Sequence, residues 1–486
     1  MNKKILVLGS GFSSLAAACY LAQMGNEVHI YEKNKTIGGR ARQLKRDGFT
    51  FDMGPTWYWM PDVFERFFAD FHKKPTDFYT LEKLNPAYSV YFGENEYISI
   101  EDTLEKIKAA FEKEEPGSSV KLQKFIDEAK NNYDVAIKDL VYRPGVSPLE
   151  LVTPVTIKKI GSFFSTISKE VRKSFKNPRL VQILEFPVLF LGAKPSDTPA
   201  FYSFMNYADF GIGTFHPKTG MYAVIHAMES MAKELGVTIH TNMEVSRIRT
   251  KNNIAEGLEI DGKVINGDII LSGADYHHTE TLLPQNLRQY SNKYWESKTF
   301  APSALLFYVG FDKKLKNVNH HTLFFDVDFE KHAREIYDEP EWPQEPLFYA
   351  SFPSKTDESV APEGQEAGIF LVPIAAGLHD TSEMREQYFD LIMDRFEKLT
   401  GQTAKKNIIF KESFCVNDFV EDYNSYKGNA YGMANTLLQT AFLRPKLKSK
   451  KVKNLYFTGQ LTVPGPGVPP ALISGKLAAG LIAKHH

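Results

Sequence analysis

The sequence predicts an α/β fold, and three features near the start of the chain support this prediction. Residues 5–8, ILVL, form a short apolar run of the kind found in a buried parallel strand, and a glycine-rich turn follows. Small and apolar residues then recur at helical spacing over residues 15–22, until Gly25 ends the pattern. The segment EVHIYEK is typical of a second strand, with Glu32 at its end. Strand, turn, helix and strand in this order favour a sheet with helices on its faces.

The N-terminus raises one alternative, because two lysines and an apolar run also occur in export signals. A signal peptide needs an unbroken apolar segment followed by a small-residue cleavage site. Here only four apolar residues precede the interruption by Gly9, Ser10 and Gly11, which favours the strand. The two cysteines, Cys19 and Cys415, have neither disulfide-framework nor metal-ligand spacing, so we expect a reducing, cytoplasmic compartment and no metal site.

Length and charge narrow the classes of protein further. The chain has 486 residues, which predicts two domains, and its net charge of −1 gives no indication of a nucleic-acid partner. No stretch approaches the roughly 20 apolar residues that a membrane-spanning helix requires.

The spacing Gly9-x-Gly11-x-x-Ser14, with Glu32 placed 21 residues beyond Gly11, fits the dinucleotide-binding fingerprint with serine in place of the third glycine. Gly9 permits a tight turn, and Gly11 lets backbone N–H groups approach a pyrophosphate at a helix N-terminus. Glu32 would accept hydrogen bonds from a ribose. Glycine-rich turns also connect ordinary strands and helices, so the prediction depends on the complete strand–helix–strand context.

A second motif, GGRA, places Arg40 beside the flexible backbone of Gly38 and Gly39. A guanidinium next to backbone N–H groups is a second device for holding a diphosphate. Alone, this motif is typical of a surface hairpin; following the first motif, it favours FAD over NAD. A tight turn with the sequence DMGPT and a cluster of aromatic residues come next.

Residues 60–215 are predicted to be mostly helical, and one segment within them is strongly basic. In residues 157–179, IKKIGSFFSTISKEVRKSFKNPR, apolar residues fall on one helical face, and seven lysines and arginines accompany a single acid, Glu170. Such a helix is typical of a membrane-surface element, but most amphipathic helices face a protein core. Both interpretations remain open from the sequence.

Beyond residue 215 the sequence pattern predicts that the chain returns to the first, nucleotide-binding domain. We predict a helix over residues 221–234, a strand after Gly236 and another strand ending at Asp275, followed from 290 to about 425 by helices and strands without a motif. In the final segment, LYFTGQLTVPGPGVPPALISGKLAAGLI, a strand should end at Gly459 and a helix should begin at the adjacent prolines 469 and 470. The N–H groups of Gly467, Val468 and Ala471 would then point into the concavity of the loop. In a flavoprotein, this helix end would stabilise the negative charge of the reduced flavin ring.

These motifs together resemble the bacterial phytoene desaturase family of carotenoid desaturases, within the monoamine-oxidase-like flavoproteins. The resemblance runs along the whole chain through GSGFSSLAAACYLAQMGNEVHIYEKNKTIGGRA, FDMGPT, HPKTGMYAV, LQTAFLRPK and LYFTGQLTVPGPGVP. It implies a Rossmann-like, discontinuous domain binding FAD non-covalently, over residues 1–75, 216–288 and 426–486. A mixed α+β domain, over 76–215 and 289–425, would hold a long apolar substrate and contact the inner face of a membrane peripherally.

The resemblance also implies which residues bind FAD. Ser14 stands where the family usually has glycine, and Gln460 occupies a variable position. The implied cofactor-binding residues are Gly9, Gly11, Phe12, Ser13, Ser14, Glu32, Lys33, Gly39, Arg40, Gly54, Pro55, Thr56, Val245, Gly459, Gln460, Gly467, Val468 and Pro469. No catalytic base can be named from the sequence.

The activity implied by the resemblance is removal of two hydrogens from a C–C bond adjacent to a polyene, with quinone or oxygen as the final electron acceptor. Overall likeness favours the flavobacterial 3,4-desaturases of 1'-hydroxylated, γ-carotene-type carotenoids, with phytoene desaturation as the alternative. A carotenoid isomerase, another amine-oxidase-like flavoenzyme, and a lipid carrier that has lost FAD are further alternatives.

Overall fold

The computed structural model describes residues 2–138, 140–151, 154 and 160–486. Within this part of the chain the strands are β1 Lys4–Leu8, β2 Glu27–Tyr31, β3 Gln43–Arg46, β4 Phe49–Asp52, β5 Leu81–Lys83, β6 Tyr88–Gly93, β7 Glu96–Ile100, β8 Phe215–Pro217, β9 Thr238–His240, β10 Val245–Lys251, β11 Ile254–Ile260, β12 Lys263–Asn266, β13 Ile269–Ser272, β14 Ser303–Phe311, β15 His321–Phe324, β16 Phe348–Ser351, β17 Glu366–Ile374, β18 Ile408–Phe414 and β19 Leu455–Phe457.

The α-helices connect these strands and cover their faces. They are α1 Phe12–Gln23, α2 Pro61–Ala69, α3 Leu104–Glu114, α4 Ser118–Lys138, α5 Ile160–Phe164, α6 Ile167–Ser174, α7 Pro178–Glu185, α8 Phe204–Asn206, α9 Tyr222–Glu234, α10 Tyr276–Thr281, α11 Asn292–Glu296, α12 Phe329–Tyr337, α13 Ser382–Thr400, α14 Val416–Tyr423 and α15 Val468–His485. In the described residues, none of these helices combines the length and the apolar composition needed to cross a bilayer.

The first sheet has five parallel strands in the order β19-β13-β1-β2-β9. Its strands come from three separate parts of the chain, and the predicted strand–turn–helix–strand unit is β1–α1–β2. Residues 5–8 are 3% exposed or less, as expected for a strand with both faces covered. The α/β prediction is confirmed, and the observed strand β13 and helices α9 and α15 lie within a few residues of their predicted positions.

Helices α1 and α15 pack against each other at backbone distance. A Cβ atom on Gly475 of α15 would lie 2.6 Å from the carbonyl oxygen of Ser13 and 2.8 Å from the amide nitrogen of Ala17, both in α1. Only glycine permits this approach. Every residue from Phe12 to Leu21 is buried, so α1 is enclosed on all sides by the sheet and its neighbouring helices.

The second sheet has seven strands in the order β18-β14-β17-β16-β15-β6-β7, of which only β15 and β6 pair in parallel. Residues 60–215 are predicted to be mostly helical, and helices α2 to α8 agree with that prediction over most of the segment. The main exceptions are strands β6 and β7. Their sequences, YSVYFG and EYISI, are rich in tyrosine and isoleucine, and they form a tight hairpin whose turn includes Asn95 in the left-handed region.

The predicted basic amphipathic helix over residues 157–179 is not continuous. Residues 157–159 lie outside the described residues, α5 ends at Phe164, and Thr166 caps α6 by accepting a hydrogen bond from the Lys169 amide. Extended backbone at Phe175 ends α6, and Pro178 begins α7. Ile167, Val171 and Phe175 are 1% exposed or less, so this part of the apolar face packs on the core.

A buried carboxyl group lies where the chain forms one π-helical turn, Tyr207–Ile212. Asp209 is 2% exposed and accepts a hydrogen bond from the Tyr88 hydroxyl at 2.7 Å, while its Oδ1 has no partner among the described residues. Burial raises the pKa of Asp209 to about 8. The folded protein therefore holds a neutral carboxyl group here at neutral pH.

We expect Asp209→Asn to remove a pH-dependent loss of stability. Because the folded-state pKa is raised, the native state binds a proton that the unfolded state has released between about pH 4 and 8, and stability falls as pH rises across that window. Between pH 4 and pH 9 the stability of the variant relative to the parent should rise by at least about 1.4 kcal/mol, the equivalent of one pKa unit. Urea unfolding at several pH values checks this; an equal stability difference at pH 4 and 9 would contradict it.

Candidate functional site

A single cavity of about 890 Å³ extends from the carboxyl ends of the parallel strands to the protein surface. At its inner end it is lined by the turn after β1, the end of β2 and the loop after β13. At its outer end it is lined by residues of two surface segments, 140–150 and 437–443. Ligands of open parallel sheets bind at this carboxyl edge.

The turn between β1 and α1 is built to receive an anion. Gly9 has φ +81°, a left-handed conformation that side chains disfavour. Gly11 precedes the first residue of α1, and no side chain caps this helix start. The first N–H groups of an α-helix have no partner within the helix, so an uncapped start facing a cavity is suited to a phosphate group.

Glu32 is held in place at the end of β2. Its Oε2 accepts hydrogen bonds from the amide and hydroxyl of Ser10, at 3.0 and 2.6 Å, and its Oε1 accepts one from the Asn34 amide at 2.9 Å. The residue is 5% exposed and lines the cavity. These bonds orient the carboxylate before any ligand arrives, and its remaining lone pairs can accept ribose hydroxyls.

Ser14 has a different place from the other residues of the turn. It is fully buried, does not line the cavity, and a Cβ atom on Gly273 would lie 2.0 Å from its Oγ. Its contact is therefore with the end of β13, which is the close helix–strand packing that the third glycine of the fingerprint usually provides. The Ser14 hydroxyl has no hydrogen-bond partner among the described residues.

Arg40 places a half-buried positive charge beside the turn. Its Nη2 donates to the Ser425 hydroxyl at 2.9 Å and to the Asn429 carbonyl at 3.3 Å, and its guanidinium lies 5.1 Å from the centre of the Tyr423 ring. Its Nε is buried without a partner among the described residues. Burial lowers the pKa of Arg40, and the Asp275 carboxylate opposes that shift.

The residues that support Arg40 could not be predicted from the sequence. Tyr423, Ser425 and Asn429 come from the opposite end of the chain and carry no motif of their own. They hold the guanidinium at the cavity, and its buried Nε, which has no partner among the described residues, could donate to a diphosphate oxygen.

The loop after β4 carries Gly54, Pro55 and Thr56, all of which line the cavity. A Cβ atom on Gly54 would lie 2.1 Å from the carbonyl oxygen of Arg40, so only glycine fits where these two backbone segments cross. Because the two backbone segments are in contact here, a shift of the loop would also displace Arg40.

The C-terminal helix contributes a second uncapped N-terminus to the cavity. Gly467, with φ +111°, precedes α15, no side chain caps the helix, and Val468 and Pro469 line the cavity. The expectation of three exposed N–H groups needs one correction, because the Ala471 amide donates to the Gly467 carbonyl at 3.0 Å within the first helical turn. The Gly459 amide is also engaged, donating to the Ser474 hydroxyl.

The structure brings the residues predicted from the sequence together around one cavity, with Ser14 as the exception. Lys33, whose ammonium group donates to the Glu421 carbonyl at 2.5 Å, and Val245 at the start of β10 also belong to the lining. The predicted residues that line it are Gly9, Gly11, Phe12, Ser13, Glu32, Lys33, Gly39, Arg40, Gly54, Pro55, Thr56, Val245, Gly459, Gln460, Gly467, Val468 and Pro469.

One face of the seven-stranded sheet forms the apolar wall of the cavity. Side chains alternate between the two faces of a strand, and residues two apart along the central strands line the cavity. They are Ala304 and Leu306 of β14, Ile369, Leu371 and Pro373 of β17, Leu347 and Tyr349 in and next to β16, and Leu323 and Phe325 in and next to β15. This wall can hold a long apolar molecule next to the nucleotide-binding end.

The residues at the inner end fit a dinucleotide cofactor. Two uncapped helix starts, an arginine whose buried Nε has no partner among the described residues, and an oriented carboxylate together match a pyrophosphate and a ribose. Among the described residues, no group of histidine, cysteine, aspartate or glutamate is arranged to hold a metal ion.

Comparison with known proteins agrees with this geometry. Residues 12–483 match the family model of the flavin-containing amine oxidoreductases. The chain belongs to this family. It is therefore an FAD-dependent oxidoreductase, and the prediction of a flavoprotein is confirmed.

Curated relatives align along nearly the whole chain. A carotenoid 3,4-desaturase of Haloarcula japonica is 41% identical, over 98% of this chain and 97% of that protein. A zeta-carotene-forming phytoene desaturase of Myxococcus xanthus is 30% identical, over 98% of this chain and 93% of its own. The resemblance to the bacterial carotenoid desaturases is confirmed.

The fold also matches solved structures. An oxidoreductase from Methanosarcina mazei superposes with a TM-score of 0.64 at 16% identity, covering 97% of this chain and 99% of that one. At this identity the match supports the fold alone.

We expect Gly54→Ala to disrupt this site, because the added methyl group would collide with the Arg40 carbonyl. Forced contacts of this kind cost about 1–3 kcal/mol, and the shift would displace the loop from the cavity. The purified variant should unfold at lower temperature and contain less flavin. The control is Gly480→Ala in α15, where a Cβ atom has open space; equal flavin content in both variants would contradict the role of Gly54.

Proposed function

We propose that this chain is an FAD-dependent carotenoid desaturase that introduces a double bond at the 3,4 position of a carotenoid. The observation that carries the proposal is the continuous cavity, which joins a nucleotide-binding end to a long apolar wall and opens at the surface. The 41% identity to a carotenoid 3,4-desaturase supports the choice of reaction.

In this proposal FAD is bound non-covalently by residues 1–75, 216–288 and 426–486, and residues 76–215 and 289–425 form most of the carotenoid site. The α1 N-terminus and Arg40 hold the pyrophosphate, Glu32 binds the ribose, and the α15 N-terminus faces the flavin pyrimidine. FAD supplies the hydride acceptor. The apolar wall orients the polyene and excludes water, which protects a positively charged intermediate from attack by water.

Among 3,4-desaturases we propose a 1'-hydroxylated, γ-carotene-type carotenoid as substrate. Phytoene is the second candidate, and the relative from Myxococcus xanthus, which acts on it, supports that alternative. Quinone or oxygen would reoxidise the flavin.

We also propose that the mouth of the cavity docks on the inner face of a membrane, from which a carotenoid enters. The two segments at the mouth are joined by Lys446, whose ammonium group donates to the carbonyls of Gly145 and Phe442. Six large apolar side chains in or next to these segments and α5 are 40–76% exposed. They form the apolar rim, namely Val146, Leu149, Phe164, Leu437, Leu438 and Leu443.

The rim replaces the long basic helix as the proposed membrane contact. Phe164, Leu437, Leu438 and Leu443 line the cavity as well as being exposed, so a lipid surface that covers them would also cover the opening. Exposed apolar patches beside a cavity are typical of membrane or ligand entry sites.

The substrate assignment predicts a specific product pattern. FAD-loaded protein, supplied with phytoene, γ-carotene and 1'-hydroxylated γ-carotene in liposomes, should convert the hydroxylated carotenoid with a loss of two mass units and a red-shifted absorption. Absorption spectra and product masses measure this.

Each other outcome identifies an alternative. Repeated losses of two mass units from phytoene would make the chain a phytoene desaturase, and a spectral change at constant mass would make it an isomerase. Protein that is colourless and cannot be reconstituted with FAD would favour a lipid carrier.

The apolar rim predicts that Val146→Asp with Leu149→Asp weakens liposome binding; both side chains are exposed and neither lines the cavity. Each side chain would contribute about 1.5 kcal/mol or more if covered by lipid, so the double variant should bind at least about tenfold more weakly in sedimentation. Desaturation of detergent-dispersed carotenoid should persist.

The matched control is Val120→Asp. Val120 is 76% exposed and lies in the first turn of α4, the helix whose other end lines the cavity. Seventeen residues of helix separate Val120 from Ile137, which is about 25 Å. Equal losses in both proteins would contradict the proposed contact.

A further inference from the structure

The apolar wall of the cavity carries one hydrogen-bonded chain of polar side chains. The Tyr349 hydroxyl lies 2.7 Å from Nδ1 of His321 and 2.8 Å from the Thr56 hydroxyl. Tyr349 and Thr56 both line the cavity, and His321 lies behind them at 0% exposure. Strand pairing of β15 with β16 brings the two strands into register, with Leu323 opposite Tyr349 and His321 opposite Ser351.

The packing around His321 does not require a histidine. Its ring stacks on Trp57 with centroids 4.0 Å apart and an angle of 9° between the planes, a place that an apolar aromatic ring could fill. Its Nε2 is buried without a partner among the described residues. Burial and the neighbouring His216 lower the pKa of His321, so the imidazole is neutral and can accept a proton.

Further ionisable groups extend behind His321, away from the cavity. The rings of His321 and His320 lie 4.5 Å apart, and those of His320 and His216 lie 4.6 Å apart. Nε2 of His216 lies 3.3 Å from the Asp357 carboxylate, whose pKa is lowered, against the effect of burial, by hydrogen bonds from His216, Ser359 and Thr219. Asp357 therefore remains ionised and offsets positive charge on this row of rings.

We propose that Tyr349 and His321 form the relay that removes the proton lost during desaturation. After hydride removal, the C–H bond next to the cationic carbon breaks, and its electron pair becomes the new π bond. The proton bonds to Oη of Tyr349 as the hydroxyl's own proton moves to Nδ1 of His321. Thr56 donates its hydroxyl proton to Oη in a hydrogen bond and orients the tyrosine.

The chemistry of the substrate makes a weak base sufficient. A polyene carbocation is a much stronger acid than a protonated imidazole, so proton transfer to a buried histidine of lowered pKa is still favourable. The face of Trp57 stabilises the imidazolium ion that results. Burial raises the pKa of Tyr349, which keeps its hydroxyl neutral and able to pass a proton in either direction.

This inference rests on the proposed function, and its test uses the FAD-loaded protein with the carotenoid that the parent protein converts. Tyr349→Phe should lower kcat about 100-fold, the usual contribution of a positioned proton acceptor, without a change in KM. His321→Gln should cause a comparable loss. The parent should turn over more slowly in D₂O, and this solvent isotope effect should vanish in Tyr349→Phe, which a purely structural role would not cause.

The matched control is Tyr91→Phe, in β6 of the same sheet, where the hydroxyl donates to the Asn317 carbonyl at 2.6 Å and the ring packs in the core on the other face. Flavin content and unfolding temperature are measured for every variant. A parent protein that converts no carotenoid refutes the proposed function. A parent that desaturates without a solvent isotope effect, a Tyr349→Phe variant with parental kcat, or equal losses in Tyr91→Phe overturn the relay.

Discussion

The close packing of α1 against α15 is the constraint on which the rest of the site depends. The two helices come from opposite ends of the chain, and Gly475 allows their backbones to meet where any larger residue would collide with Ser13. Because both helices begin at the carboxyl edge of the parallel sheet, this contact places both N-termini on one cavity. A single helix crossing therefore places two partial positive charges at the same cavity.

The second property of the site is a buried hydrogen-bond donor, on Arg40, that lacks a partner among the described residues. Arg40 is held by Ser425, Asn429 and the face of Tyr423, yet one of its nitrogens has no partner among the described residues. An unpaired buried donor is unfavourable in the isolated chain and becomes favourable when an anion arrives. Glu32 is the opposite case, since Ser10 and Asn34 already orient it, and a ribose would find the carboxylate in place.

The parts of the site that could be predicted from the sequence are those whose chemistry is local. The turn from Gly9 to Ser14, Glu32 at a strand end and the loop before α15 each combine a short motif with an adjacent strand or helix, so spacing alone predicts their geometry. The neighbours of Arg40 could not be found in this way, because they meet it only after folding.

Strand register and local helix stop signals explain other features of the structure that could not be predicted from the sequence. Whether His321 meets Tyr349 depends on the pairing of β15 with β16, and a slip of one residue would turn His321 to the other face. Likewise, the apolar face of residues 157–179 has helical spacing, but the cap at Thr166 and the proline at 178 divide it. Such local stop signals outweigh periodicity when they occur within a short segment.

Because side chains alternate between the two faces of the seven-stranded sheet, substitutions that reshape the cavity occur at different positions from those that affect the core. Leu306, Leu371 and Leu323 face the cavity, whereas their strand neighbours Phe307, Phe370 and Phe324 are buried in the core on the opposite face. Substitutions at the first set alter the shape of the slot while the second set continues to support the fold. A lineage can therefore change which polyene it accepts, one residue at a time, on an unchanged flavin scaffold.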